Sequence, residues 1–169
     1  VPERRKLLAE MKGFYAEYTN SFDKVVQLRQ KRDEILEKEM NPAGAKMRTN
    51  LTSARQAALA DDNMRGAALI GGVQEDLMLA RLNAVRFVGS PDAKLVETAS
   101  EQLARLPSAL TELEAQLTNP ARKQLVRDTL ALAPKYTEAF KNMAAATLEM
   151  YGLINGPMRI AADEFAKRA

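Results

Sequence analysis

The sequence predicts an all-α protein, an antiparallel up-down-up-down four-helix bundle with long helices. Three observations carry this expectation. Most residues are strong helix formers (Ala, Leu, Glu, Lys, Arg, Gln and Met), and runs of alternating Val, Ile and Thr that would suggest strands are missing. Breakers fall at few places: Asn41-Pro42 with Gly44, Gly89-Ser90-Pro91-Asp92, and Asn119-Pro120. Each pairs a capping residue with a proline suited to a first helical position. Between the breakers, apolar residues recur at steps of three and four.

The first predicted helix covers about 3–40, with Met11, Phe14, Tyr18, Phe22 and Val25 on one stripe. The second covers about 43–88, where Val73, Leu77, Ala80, Ala84 and Phe87 step by 4, 3, 4, 3. Gly66, Gly71 and Gly72 soften its middle, and Asp61-Asp62 offers a cap at which it can restart. The third covers about 91–117, with Leu103, Leu106, Leu110, Leu113 and Leu117 stepping by 3, 4, 3, 4. The fourth covers about 120–168, with Leu125, Leu132, Tyr136, Ala139, Met143, Met150 and Ile154 along its seam. Such seams pack helices at a shallow angle, and short connections make neighbours antiparallel. Pro107 and Pro134 predict kinks or short breaks, and Asn155-Gly156-Pro157 predicts an interruption near the end. At about 1.5 Å per residue, the first, second and fourth helices reach roughly 57–73 Å against about 40 Å for the third. Their outer ends therefore project beyond the third helix or meet something outside this chain.

The length suits one domain, or two small stacked modules, spanning residues 1–169. The absence of cysteine rules out a disulfide framework and thiolate chemistry. The absence of histidine is more restrictive. It removes His-ligated zinc and haem, Ser-His-Asp catalysis and any phospho-accepting histidine. The net charge is +3, but acids and bases interleave, as in RQKRDEILEKE at 29–39, which reads as solvated helix faces and not as a nucleic-acid surface. No run of about 18 uncharged apolar residues is present to span a membrane. Glu37 and Glu39, or Asp61 and Asp62, lie around a helix instead of converging, and Gly71-Gly72 lacks the context of a phosphate loop. Asn50-Leu51-Thr52 matches a glycosylation acceptor inside a predicted helix. No catalytic residue, metal site or cofactor is expected, so the chain itself reads as a non-enzyme.

The chain also restates its opening. Residues 1–22 laid over 119–140 give six identical pairs out of 22, ending in YTNSF at 18–22 and YTEAF at 136–140. Tyr18/Phe22 and Tyr136/Phe140 each place two aromatics on one helix face, where they suit core packing first and an aromatic ligand wall second. In the stretch LMLARLNAVRFVGSPD at 77–92, Arg81 and Arg86 offer planar forks to a carboxylate, beside small alanines that leave room for a ligand. Their alternative is surface pairing with Glu75 or Asp92. The candidate ligand-binding residues are therefore Arg81, Arg86, Tyr18 and Tyr136.

That same stretch, the Leu-rich third helix, Asn119-Pro120-x-Arg122 and the last helix from YTEAF to GPMRIAADEFAKRA resemble one kind of protein across essentially the whole chain. They are similar to the extracytoplasmic four-helix-bundle or helical-bimodular sensor regions of bacterial transmembrane receptors. These receptors include methyl-accepting chemotaxis proteins and sensor histidine kinases of two-component systems. The resemblance implies a periplasmic sensor domain of an inner-membrane protein, flanked by membrane helices before Val1 and after Ala169. It also implies small ligands, often organic acids, bound between helices, with signal transduction by displacement of the last helix. A homodimer through the long first and last helices is expected. Because the chain opens within a junction-like Val1-Pro2-x-Arg4, the parent is expected to carry a further short helix upstream. The alternative is a structural or adaptor bundle that binds partner helices or a membrane surface.

Overall fold

The computed structural model describes residues 2–169. The protein is an all-α, four-helix bundle. Helix α1 (Pro2–Ile35) passes through a π-helical turn at Leu36–Met40 into α2 (Asn41–Ala60). Helices α3 (Met64–Gly89) and α4 (Ala93–Gln116) follow, and α5 (Pro120–Leu153) passes through a second π turn at Ile154–Met158 into α6 (Arg159–Arg168). There is no strand among the described residues.

One boundary differs from the sequence expectation. Asn41-Pro42 does not end a helix: the chain stays helical from Pro2 to Ala60. Pro42 cannot donate to the carbonyl four residues back, and its ring crowds that carbonyl. The wide turn just ahead absorbs the conflict, with the Asn41 N–H donating to Leu36 O, five residues back. The reversal falls instead at residues 61–63. Asp62 takes the left-handed conformation there (φ 55°), which Asp tolerates better than most side chains. Asn63 then caps α3, its Oδ1 accepting from the Gly66 N–H at 2.9 Å. A Cβ on Gly66 would lie 2.7 Å from Asn63 Nδ2, so any other residue there would make the cap side chain shift. The other two junctions match expectation: Asp92 caps α4 through the Lys94 N–H, and Asn119 caps α5 through Ala121 and Arg122. Helices α4 and α5 both run through their prolines, Pro107 and Pro134, without a break. The interruption expected at 155–157 takes the form of the second π turn.

The chain divides into two compact units, Glu34–Ala144 and a second made of the residues up to Asp33 with Ala145–Ala169. The larger unit owns the hydrophobic core. Leu103, Leu106, Leu110 and Leu113 from α4 are buried there, with Leu117 just past its end, and Val73, Leu77, Ala80, Ala84 and Phe87 from α3, as their heptad steps require. Met47, Leu51, Ala54 and Ala58 from α2, and Val126, Tyr136, Ala139, Phe140 and Met143 from α5, pack with them. Phe87 and Phe140 meet edge to face, with ring centres 6.5 Å apart. Asn50 is buried within this unit, where a glycosylating enzyme has no access.

The unit's far end is tied by Arg122. Its buried guanidinium donates from Nη2 to Ala57 O at 3.1 Å and pairs with the Asp61 carboxylate, while its Nε has no partner. Asp61→Ala leaves this buried charge with a single carbonyl. Because the Asp61 side chain is itself 61% exposed, the loss is expected to be about 1–3 kcal/mol, below that of a fully buried pair. Urea unfolding of wild type and variant measures it, and a change under about 0.5 kcal/mol would show that solvent already serves the guanidinium.

In the smaller unit, α1 and the C-terminal helices are joined by Lys24 Nζ to Glu149 Oε1 (2.6 Å) and Arg168 Nε to Glu10 Oε2 (2.7 Å). The Arg168 guanidinium also lies 4.7 Å from the centre of the Phe14 ring. Here the expectation for the first aromatic pair fails. Tyr18 and Phe22 are 39% and 48% exposed, whereas Tyr136 and Phe140 are 3% and 0% exposed. Two helical strands bury only one stripe each. On α1, Phe14, Ser21, Val25 and Leu28 turn partly inward, and Leu8, Tyr15, Tyr18, Phe22 and Val26 turn out.

Candidate functional site

In the larger unit, three helices bring Gly44, Arg81 and Tyr136 together. Arg81 follows the buried Ala80 on α3, one step off the seam, so its stem leaves the core while its head stays half-buried. Tyr136 is a seam residue of α5 and is itself buried. Gly44 is the buried small residue of α2 that lets the two meet: a Cβ there would lie 2.6 Å from Arg81 Nε and 3.1 Å from Tyr136 Cε2. The guanidinium thus rests directly against helix backbone, in space that any other residue would occupy.

The electrostatics of this corner are unusual. Arg81 Nη1 approaches Met78 Sδ at 3.9 Å, a weak acceptor. Neither Glu75 nor Asp92 pairs with an arginine, and among the described residues Arg81 has no carboxylate partner. Its side chain and the Tyr136 ring both close on Gly44, and its charge acts on the Tyr136 phenol. Burial pushes the Tyr136 phenol above its ordinary value of 10.0, and the positive charge of Arg81 pulls against that rise. The corner therefore holds a half-buried cation, a phenol hydroxyl and no compensating anion.

This balance sets a pH expectation. The folded state favours the neutral phenol, so its contribution to stability is full below the ordinary tyrosine value and is lost as pH rises through the elevated folded value. Arg81→Ala removes the opposing cause and should raise the folded value further. Ultraviolet phenolate titration, with Tyr136→Phe to identify the signal among four tyrosines, reads this directly. An unchanged titration in Arg81→Ala would break the link between the two side chains.

Of the four residues singled out from the sequence, Arg81 and Tyr136 share this corner. Arg86 is exposed on α3 and takes no part in it. Tyr18 belongs to the smaller unit, where it lines an apolar trough of about 250 Å³ with Phe14, Tyr15 and Phe165. Gly44 was missed, because it read as part of the Asn41-Pro42 breaker. Its signal was a lone glycine among strong helix formers, which often marks a close approach. No cluster of three acidic side chains able to hold a metal ion occurs among the described residues, and no helix there is long and apolar enough to cross a membrane. No protein-family model matches the chain, and no curated protein matches it either.

Proposed function

We propose that the chain is a non-catalytic signal-input domain of a bacterial transmembrane receptor, a histidine kinase or chemoreceptor, facing the periplasm. The Arg81–Tyr136 corner receives the carboxylate of a small organic ligand. The observation that carries this reading is the half-buried guanidinium without an acidic partner, a charge that an incoming carboxylate would neutralise bidentately. The helices take the up-down-up-down order, in keeping with the short connections at 61–63, 90–92 and 117–119.

Tyr136 belongs to α5, which continues to Leu153 without a break, so a change at the corner bears on a long stiff rod. A ligand moves such a rod only by its difference in affinity for two packings. The outward stripe Leu8, Tyr15, Phe22 and Val26 of α1 suits a homodimer seam, since its first three residues repeat at heptad spacing and Val26 follows four residues on. The same exposed stripe, together with Leu79, Leu82 and Val85 on α3, favours a second reading, an adaptor bundle that holds partner helices.

A thermal-shift screen of small carboxylic acids and amines tests the first reading. A true ligand at a hundredfold excess over its dissociation constant adds about 2.7 kcal/mol. Arg81→Ala should abolish the shift given by that acid and leave the unliganded melting temperature nearly unchanged. If no acid stabilises the chain, or if the shift survives in Arg81→Ala, the carboxylate corner is wrong.

A further inference from the structure

The methionines of the chain differ sharply in access. Met40, Met47, Met143, Met150 and Met158 are buried, and Met11 is half-buried. Met64 and Met78 are exposed, and both line one open groove of about 720 Å³ between α2 and α3. Gly71 and Gly72 help to keep that groove open, since neither carries a side chain to fill it. A small solute therefore reaches both thioethers.

The two sulfurs differ in what stands beside them. Met78 lies three residues before Arg81 on α3, and Arg81 Nη1 approaches its Sδ at 3.9 Å. Positions three apart share a helix face, so no other element is needed to hold this contact. Met64 shares the access but lies nearly five turns from Arg81. A thioether is a weak acceptor, so the half-buried guanidinium has only a soft partner in Met78. A sulfoxide is different. Its oxygen is strongly polarised, and it would stand one S–O bond nearer to the guanidinium than the sulfur does. From 3.9 Å, that step brings it into the range of an ordinary hydrogen bond. The side chain has three rotatable bonds, so either sulfoxide epimer can turn its oxygen towards Arg81.

We propose that Met78 is a modification site, where oxidation by a peroxide gives Arg81 a strong acceptor on its own helix. The sulfur lone pair attacks one peroxide oxygen, so that an S–O bond forms and the O–O bond breaks. Sulfur is oxidised by two electrons, and the departing hydroxide takes the proton of the new S–OH group and leaves as water. The sulfoxide then accepts from Arg81 Nη1, a charge-assisted bond that commits one arm of the guanidinium to α3. The assignment rests on the Met78–Arg81 contact and holds whether or not the corner takes a carboxylate.

Mild hydrogen peroxide on the whole chain tests this. Met11→Leu/Met64→Leu serves as the reference protein, because it keeps side-chain volume and leaves Met78 as the exposed methionine. Peroxide should add one oxygen to it, placed at Met78 by peptide mass spectrometry, and none when Met78→Leu is added. Nitrogen-15 NMR of the arginine side chains, with Arg81→Lys to identify the signal, reads the new bond. Oxidation should shift the Arg81 guanidinium protons downfield and slow their exchange with water. The melting temperature should fall at least about 2 °C further on oxidation when Arg81→Ala is added, because the sulfoxide then has no guanidinium to bind. No oxygen at Met78, an Arg81 signal that oxidation leaves unchanged, or equal melting shifts with and without Arg81 overturns the assignment.

Discussion

Phe140→Ala is expected to destabilise the protein by about 3–5 kcal/mol, while Phe22→Ala, its counterpart in the internal repeat, should cost less than about 1 kcal/mol. Phe140 is wholly buried in the larger unit and meets Phe87 edge to face, so truncation opens a cavity and also removes an aromatic pair. Phe22 occupies the same place in YTNSF that Phe140 holds in YTEAF, but nearly half of its surface faces solvent. Chemical denaturation of the two variants side by side measures the difference. Equal losses would mean that Phe22 is covered in solution, which the dimer seam proposed for α1 would produce. Repeating the Phe22→Ala measurement over a range of protein concentrations separates those cases, because only an assembly makes the loss depend on concentration.

Gly44→Ala should nearly abolish carboxylate binding at the Arg81 corner and leave folding stability within about 1 kcal/mol of wild type. Two effects on stability oppose each other. Replacing glycine by alanine in a helix interior favours folding by up to about 1 kcal/mol. Against this, the new methyl would stand 2.6 Å from Arg81 Nε and 3.0 Å from its Cζ, so the guanidinium must withdraw. That displacement costs little, because the group is the free end of a flexible side chain. Tyr136 Cε2, at 3.1 Å, belongs to a buried ring and can give only a few tenths of an ångström. A loss of at least tenfold in affinity for the acid found by the screen, with an unchanged melting curve, is the expected pattern. With Arg81 withdrawn, the Tyr136 phenol should also titrate higher than in the wild type, by the reasoning given for Arg81→Ala. If Gly44→Ala binds the acid as tightly as wild type, the guanidinium is not held where the ligand needs it.

The helical class and most of the core were legible from the chain. Leucines at 103, 106, 110, 113 and 117 can share one face only on a helix, and all five are buried. The breakers were legible only in part. Asp92 and Asn119 cap as expected because each precedes a free helix start whose N–H groups need an acceptor. Asn41 has the same local appearance but no free start to serve, since the π turn carries the helix straight through it. Local chemistry does not distinguish the two cases. The difference lies in whether the preceding helix still has a buried stripe to continue, as Met47, Leu51 and Ala54 provide beyond Pro42. The repeat misled for a related reason: a Tyr-x3-Phe pair fixes one face of a helix but not what lies opposite that face. Arg81 was found from its type and neighbours. Its partner Gly44 lies 37 positions away, and only folding reveals that approach.

The two π turns also bear on how this chain tolerates changes in length. Each holds one more residue than an α-helical turn would at the same place, so each behaves as an insertion already absorbed by the fold. Removing one residue from Leu36–Met40 or from Ile154–Met158 can be met by tightening the turn to ordinary helix, with the seams beyond kept in phase. A deletion elsewhere in these rods would rotate every following side chain by about 100° and turn the core face towards solvent. Distant relatives of this chain should therefore place their single-residue gaps at these two segments, and an alignment that forbids gaps within helices would misplace the residues on both sides of them.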